Sequence, residues 1–81
     1  WLIVADTANS RLLGWHIDRL QTGAPADALF GQVSFERSGD NAWGAVTDSS
    51  LCWPYGIHIH QNHIAIADTG NSRISMYGLS L

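Results

Sequence analysis

Lysine is missing from this chain, and its four cationic side chains are all arginines: Arg11, Arg19, Arg37 and Arg73. They are spread along a sequence whose formal net charge is −3. A nucleic-acid surface needs clustered cations to displace counterions from phosphate, so nucleic acid is not an expected partner. Cysteine occurs once, as Cys52, which excludes an internal disulfide framework. Between Leu51 and Trp53 it reads as a small buried hydrophobe. No apolar run approaches the roughly 18 residues of a membrane-spanning helix, and nothing has the layout of a signal peptide, so no membrane partner is expected. A Gly-x-Ser-x-Gly elbow, a Cys–His pairing of known spacing and a glycine-rich phosphate loop are also missing. So is any ten-residue stretch with a helical period.

What is there suits a folded chain of short strands. Hydrophobic residues make up 46% and charged residues 14%, with eight glycines against two prolines. That apolar content is enough to offset the entropy of ordering, and 81 residues allow one small domain at most.

The strongest internal signal is a duplication at an offset of 62 residues. Leu2-Ile3-Val4-Ala5-Asp6-Thr7-Ala8-Asn9-Ser10-Arg11 returns as Ile64-Ala65-Ile66-Ala67-Asp68-Thr69-Gly70-Asn71-Ser72-Arg73. Apolar character continues into Leu12/Ile74 and Trp15/Tyr77. A dense match at a fixed offset marks a repeat architecture. In each copy an apolar β-rich run enters a polar turn cluster and leaves in a second apolar run, which predicts a β-hairpin. Asp6 and Arg11 flank the first turn and Asp68 and Arg73 the second, so each pair is expected to meet across its hairpin. Asn9 and Asn71 supply turn chemistry. Gly70 or Asn71 is expected at positive φ, and Ala8 is the weak point of the first copy.

Between the copies, residues 27–35 read as a strand with Gly31 as a bulge, and residues 36–50 as a polar loop. Gly56-Ile57-His58-Ile59-His60 alternates apolar and polar after the turn-like Trp53-Pro54-Tyr55. The whole reads as all-β, with six strands at 2–6, 11–17, 27–35, 56–60, 63–68 and 73–78.

These residues resemble the NHL repeat family. Its pattern of Pro-x-Gly, an apolar strand, a turn, an apolar-Ala-Asp strand and a Thr-Gly-Asn-Ser-Arg turn is matched by Pro54 to Ile59 and then Ile64 to Ile74. Ala24 to Gln32 is similar to the Leu-Gly-Gln segment of its long-repeat bacterial variety. The resemblance implies a blade segment of a six-bladed β-propeller built from four-stranded antiparallel sheets. Residues 1–18 would end one blade with two strands. Residues 19–81 would bring an outer strand and loop and then the next blade. The expected neighbours are further blades of the same polypeptide or symmetry-related copies.

Three features could carry function. His58 and His60 share a strand face and His63 follows closely, a spacing compatible with zinc or calcium ligation. Propeller lyases of the resembled type hold zinc with histidines near the channel, but draw them from several blades. Structural histidines at the channel rim are the plainer reading, and His16, alone on a strand, reads the same way. Asp6, Asn9, Arg11, Asp68, Gly70, Asn71 and Arg73 recur at matched positions, which speaks for structural duty, since catalytic roles are asymmetric. Trp43 sits in a polar loop, where it either packs the loop or anchors a protein partner or ligand. The function expected is a non-catalytic propeller scaffold for protein or ligand binding. The alternatives are a fragment of a metal-dependent propeller lyase or hydrolase using the channel histidines, and a self-assembling propeller unit.

Overall fold

Every regular element described in the computed structural model, which covers residues 1–79, is a strand or a single 3-10 turn. The strands are β1 (Leu2–Asp6), β2 (Arg11–Trp15), β3 (Ala28–Phe30), β4 (Pro54–His60), β5 (His63–Asp68) and β6 (Arg73–Gly78). They form two three-stranded antiparallel sheets, ordered β1-β2-β3 and β4-β5-β6. The all-β expectation holds, and each described sheet has three strands. The last two positions of the 19–81 segment lie outside the described residues.

Both copies of the repeat fold alike. A strand ends at the aspartate, a 3-10 turn (Thr7–Asn9, Thr69–Asn71) follows, and the return strand starts at the arginine. The left-handed residue is neither Gly70 nor Asn71. It is the serine after the turn: Ser10 at φ 52° and ψ 50°, Ser72 at φ 54° and ψ 45°. The reason is local. The serine amide reaches back to the threonine carbonyl at 3.0 Å in each copy, which closes the 3-10 turn and places the reversal one residue later. Non-glycine residues pay for this conformation; in the first copy the buried Ser10 also accepts from the Trp53 amide.

Three boundaries differ from the sequence reading. The strand expected at 27–35 ends at Phe30, because Gly31 turns the chain at φ 99°. A Cβ on Gly31 would lie 3.0 Å from both Leu51 Cδ1 and the Ser10 carbonyl oxygen. The strand expected at 11–17 stops at Trp15, and Ile17–Arg19 forms a 3-10 turn. The strand expected at 56–60 begins earlier, at Pro54, with a bulge between Pro54 and Ile57. Proline is tolerated there because the first residue of a strand need not donate to the ladder. β3 pairs with β2 and so extends the first sheet.

The core lies between the sheets. Cross-strand partners share a face, so Ile3, Ala5, Leu12 and Phe30 lie on one side of the first sheet. Ile57, Ile64, Ile66 and Tyr77 lie on one side of the second. Those two faces pack together, with Leu51 wedged in from the loop. Leu51 and Ile66 are fully buried, Ile64 is 3% exposed and Leu12 5%. Each such side chain contributes about 1.5–3 kcal/mol of burial. Phe30 and Tyr77 touch across the joint at 4.7 Å between ring centroids.

Candidate functional site

The repeated polar residues build two clamps. In the first, Arg11 Nε donates to Asp6 Oδ2 at 2.7 Å, and Asn9 Nδ2 donates to both Asp6 oxygens at 3.0 and 3.2 Å. In the second, Arg73 Nε donates to Asp68 Oδ2 at 2.8 Å and Asn71 Nδ2 to the same oxygen at 2.8 Å. Asp68 is fully buried. Its other oxygen accepts from the Cys52 amide at 2.7 Å, so its charge is met by donors on both sides, as a buried carboxylate requires.

The guanidinium groups do a second job. Arg11 Nη1 donates to the Phe35 carbonyl at 2.6 Å, and Arg73 Nη2 donates to the carbonyls of Thr47 and Ser50 at 2.8 Å each. Each arginine thereby pins a different end of the loop to its own hairpin. Gln32 Nε2 adds bonds to the carbonyls of Asn9, Ser10 and Gly39. Asn41 and Asn71 exchange two amide bonds, at 2.9 and 2.7 Å. Among the described residues no buried side-chain nitrogen or oxygen lacks a partner.

Two titrating groups in this network are displaced. Partial burial pushes Asp6 up, but hydrogen bonds from Arg11 and Asn9 and the Arg11 charge outweigh it and hold the carboxyl below its ordinary value. Burial pushes the Cys52 thiol up, and the charges of Asp40 and Asp68 and a hydrogen bond with Asp40 add to it. A protonated, buried thiol is a poor nucleophile, which accords with the reading of Cys52 as a small hydrophobe.

Gly70 has a role that the sequence reading missed. Its amide donates to the Cys52 carbonyl at 2.8 Å. A Cβ there would lie 2.7 Å from that oxygen and closer still to Cys52 Sγ. Close approach, not positive φ, is what requires glycine; Ala8 in the first copy is exposed. Only the contact between residues 52 and 70, distant in sequence, reveals this.

His58, His60 and His63 are all exposed. His60 and His63 are direct cross-strand partners at the mouth of the β4–β5 turn, and His58 pairs with Ala65, so the three share one face. Among the described residues no three His, Cys, Asp or Glu side chains converge as a metal-holding group. His16 lies against Trp1, with ring centroids 3.8 Å apart and the rings tilted by 41°.

Trp43 does not pack the loop. It is 78% exposed, and its ring lies over Gly39. It ends a run of three left-handed residues, with Asn41 at φ 54°, Ala42 at φ 53° and Trp43 at φ 61°. The core joint also holds an apolar cleft of about 260 Å³, lined among others by Ile3, Leu12, Phe30, Ile64 and Tyr77. The Tyr77 hydroxyl donates to the Asp48 carbonyl and is engaged there.

Comparison with known protein families, with curated proteins and with solved structures finds nothing that matches this chain.

Proposed function

We propose that the chain is a non-catalytic segment of a β-propeller-type scaffold of NHL character, serving to bind a protein or ligand. The observation that carries this reading is the duty of the repeated residues. In both copies aspartate, asparagine and arginine close the same hairpin and pin the same loop. The repeated aspartate, asparagine and arginine are thereby committed to structure twice over. The face-to-face stacking of two antiparallel sheets is the arrangement by which propeller blades bury their faces. The exposed Trp43 ring, presented from a loop tied down at Gln32, Asn41 and Arg73, is the feature best suited to anchor a partner.

Chains carrying additional copies of the 62-residue repeat test the scaffold reading. Repeat proteins gain stability with each added neighbour, so the unfolding midpoint should rise stepwise with repeat number. No rise on the first addition overturns it. The shared face of His58, His60 and His63 favours the second reading, a fragment of a metal-dependent lyase or hydrolase. Calorimetric titration of the chain with zinc and with calcium separates the two. Tight stoichiometric binding would favour the enzyme fragment; heat of dilution alone is expected for the scaffold.

A further inference from the structure

The joint between the two sheets is a template that can be shifted by one repeat. On the first sheet it uses the face bearing Leu12 and Gly14, both buried; on the second, the face bearing Ile64 and Ile66. Adding 62 to the first pair gives Ile74 and Met76, which are each 67% exposed. Subtracting 62 from the second pair gives Leu2 and Val4, which are each 38% exposed. The outer face of the second sheet is therefore the counterpart of a face that the chain covers, and so is the outer face of the first. The two exposed faces are complementary in the same sense as the two that already meet.

The polar rim follows the same rule. Thr7 Oγ1 donates to the Pro54 carbonyl at 2.6 Å, and the Trp53 amide donates to Ser10 Oγ at 3.2 Å. Ser10 is fully buried, while its counterpart Ser72 is exposed. Thr69, the counterpart of Thr7, is exposed and turns its hydroxyl to its own strand at the Ala67 carbonyl.

We infer that copies of this chain associate head to tail, the Ile74–Met76 face of one copy seating on the Leu2–Val4 face of the next. This rests on the propeller-scaffold reading and names its partner, a second copy. Such a contact is heterologous: the patch on one copy differs from the patch on its neighbour. Heterologous contacts build rings where the rotation closes and open arrays where it does not. The joint in trans is apolar at its centre, and the Thr69 and Ser72 hydroxyls stay in water at its rim.

Heterology gives a test that an isologous dimer cannot imitate. Ile74→Glu spoils one face and leaves the other whole; Val4→Glu does the converse. Sizing with light scattering should show the unaltered chain forming species larger than a dimer as concentration rises. Each variant alone should lose association by at least about tenfold, the effect of placing a charge in an apolar contact. Mixed in equal amounts, the two should form a dimer and nothing larger, since one good face of each remains. Near-ultraviolet circular dichroism checks that each variant is folded; Met76→Lys and Leu2→Lys replace any that is not. A chain monomeric up to about 1 mM, a variant that still associates as before, or a mixture that stays monomeric overturns the inference. If the chain is monomeric while added repeats still raise stability, head-to-tail association fails and the scaffold reading stands. If added repeats give no rise, the scaffold reading itself fails.

Discussion

Arg73 Nε meets Asp68 Oδ2 at 2.8 Å, and 62 residues earlier Arg11 Nε meets Asp6 Oδ2 at 2.7 Å, yet the two pairs sit in different surroundings. The Asp68 side chain is fully buried, whereas that of Asp6 is 26% exposed. One motif thus holds a buried carboxylate in one copy and a partly exposed one in the other.

That difference sets the cost of breaking each pair. Arg73→Met leaves the Asp68 carboxylate buried without its cation, and such a loss costs roughly 3–5 kcal/mol. Arg11→Met leaves a carboxylate that water can reach, and about 1 kcal/mol is expected. Urea unfolding of the two variants checks the ranking. Equal losses would show that the environment of Asp68 is not as dry as its burial indicates.

Gly70→Ala drives a methyl group into Cys52, whose carbonyl lies 2.7 Å from the added carbon and is held by the Gly70 amide. Overpacking of this kind costs about 1–3 kcal/mol. Ala8→Gly, at the matched position, should cost no more than about 1 kcal/mol, the backbone entropy difference. Thermal melts of both variants decide it. A neutral Gly70→Ala would mean that Cys52 can move aside.

Stability should fall at both ends of the pH range. Asp6 is held below its ordinary value in the folded chain. Its contribution is complete above the unfolded value of about 3.9 and is lost as pH falls through the folded one. The Cys52 thiol is raised. Its contribution is complete below the unfolded value of about 8.5 and declines as pH rises beyond it. Denaturant midpoints measured across pH should show an alkaline decline that Cys52→Ala removes and an acid decline that Asp6→Asn reduces.

Trp43 offers an optical check on the loop. It is 78% exposed, against 49% for Trp53 and 37% for Trp1, and Trp15 donates its indole NH to the Ala24 carbonyl at 2.9 Å. Trp43→Phe should remove the fluorescence component most accessible to acrylamide and change stability by no more than about 0.5 kcal/mol. Loss of a shielded component instead would place Trp43 in the core.

Asn41 ties the loop to the second hairpin by exchanging two amide bonds with Asn71, and it tolerates its own left-handed backbone at φ 54°. Asn41→Ala removes both advantages and should cost about 1–2 kcal/mol. Hydrogen exchange in residues 40–50 should quicken. Unchanged exchange would show the loop to be held by Gln32 and Arg73 alone.

Much of the local structure was legible because it is local. Asp and Arg five residues apart around a turn meet as expected in both copies, and β5 and β6 fall where the apolar runs flanking the repeated turn put them. The errors arose where distant residues intervene. Gly31 ends β3 because Leu51 and the Ser10 carbonyl lie against it, and nothing in residues 27–35 announces either neighbour. Whether Trp43 packs its loop or faces outward was open in the sequence, and its 78% exposure follows from the absence of a core opposite it. The left-handed residue is serine because the 3-10 turn closes on the threonine carbonyl, a geometric fact that turn propensities, which favour glycine and asparagine, do not encode.

The order of residues alone determined that this chain makes antiparallel hairpins, twice, each closed by the same aspartate and arginine. Turn chemistry and strand alternation act over a few residues and need nothing further. Only the tertiary structure decided which copy is covered. Ile64 and Leu2 occupy equivalent positions with 3% and 38% exposure, and Ser10 and Ser72 are equivalent turns, one buried and one exposed. Burial is set by what lies opposite a side chain, and what lies opposite comes from the other sheet.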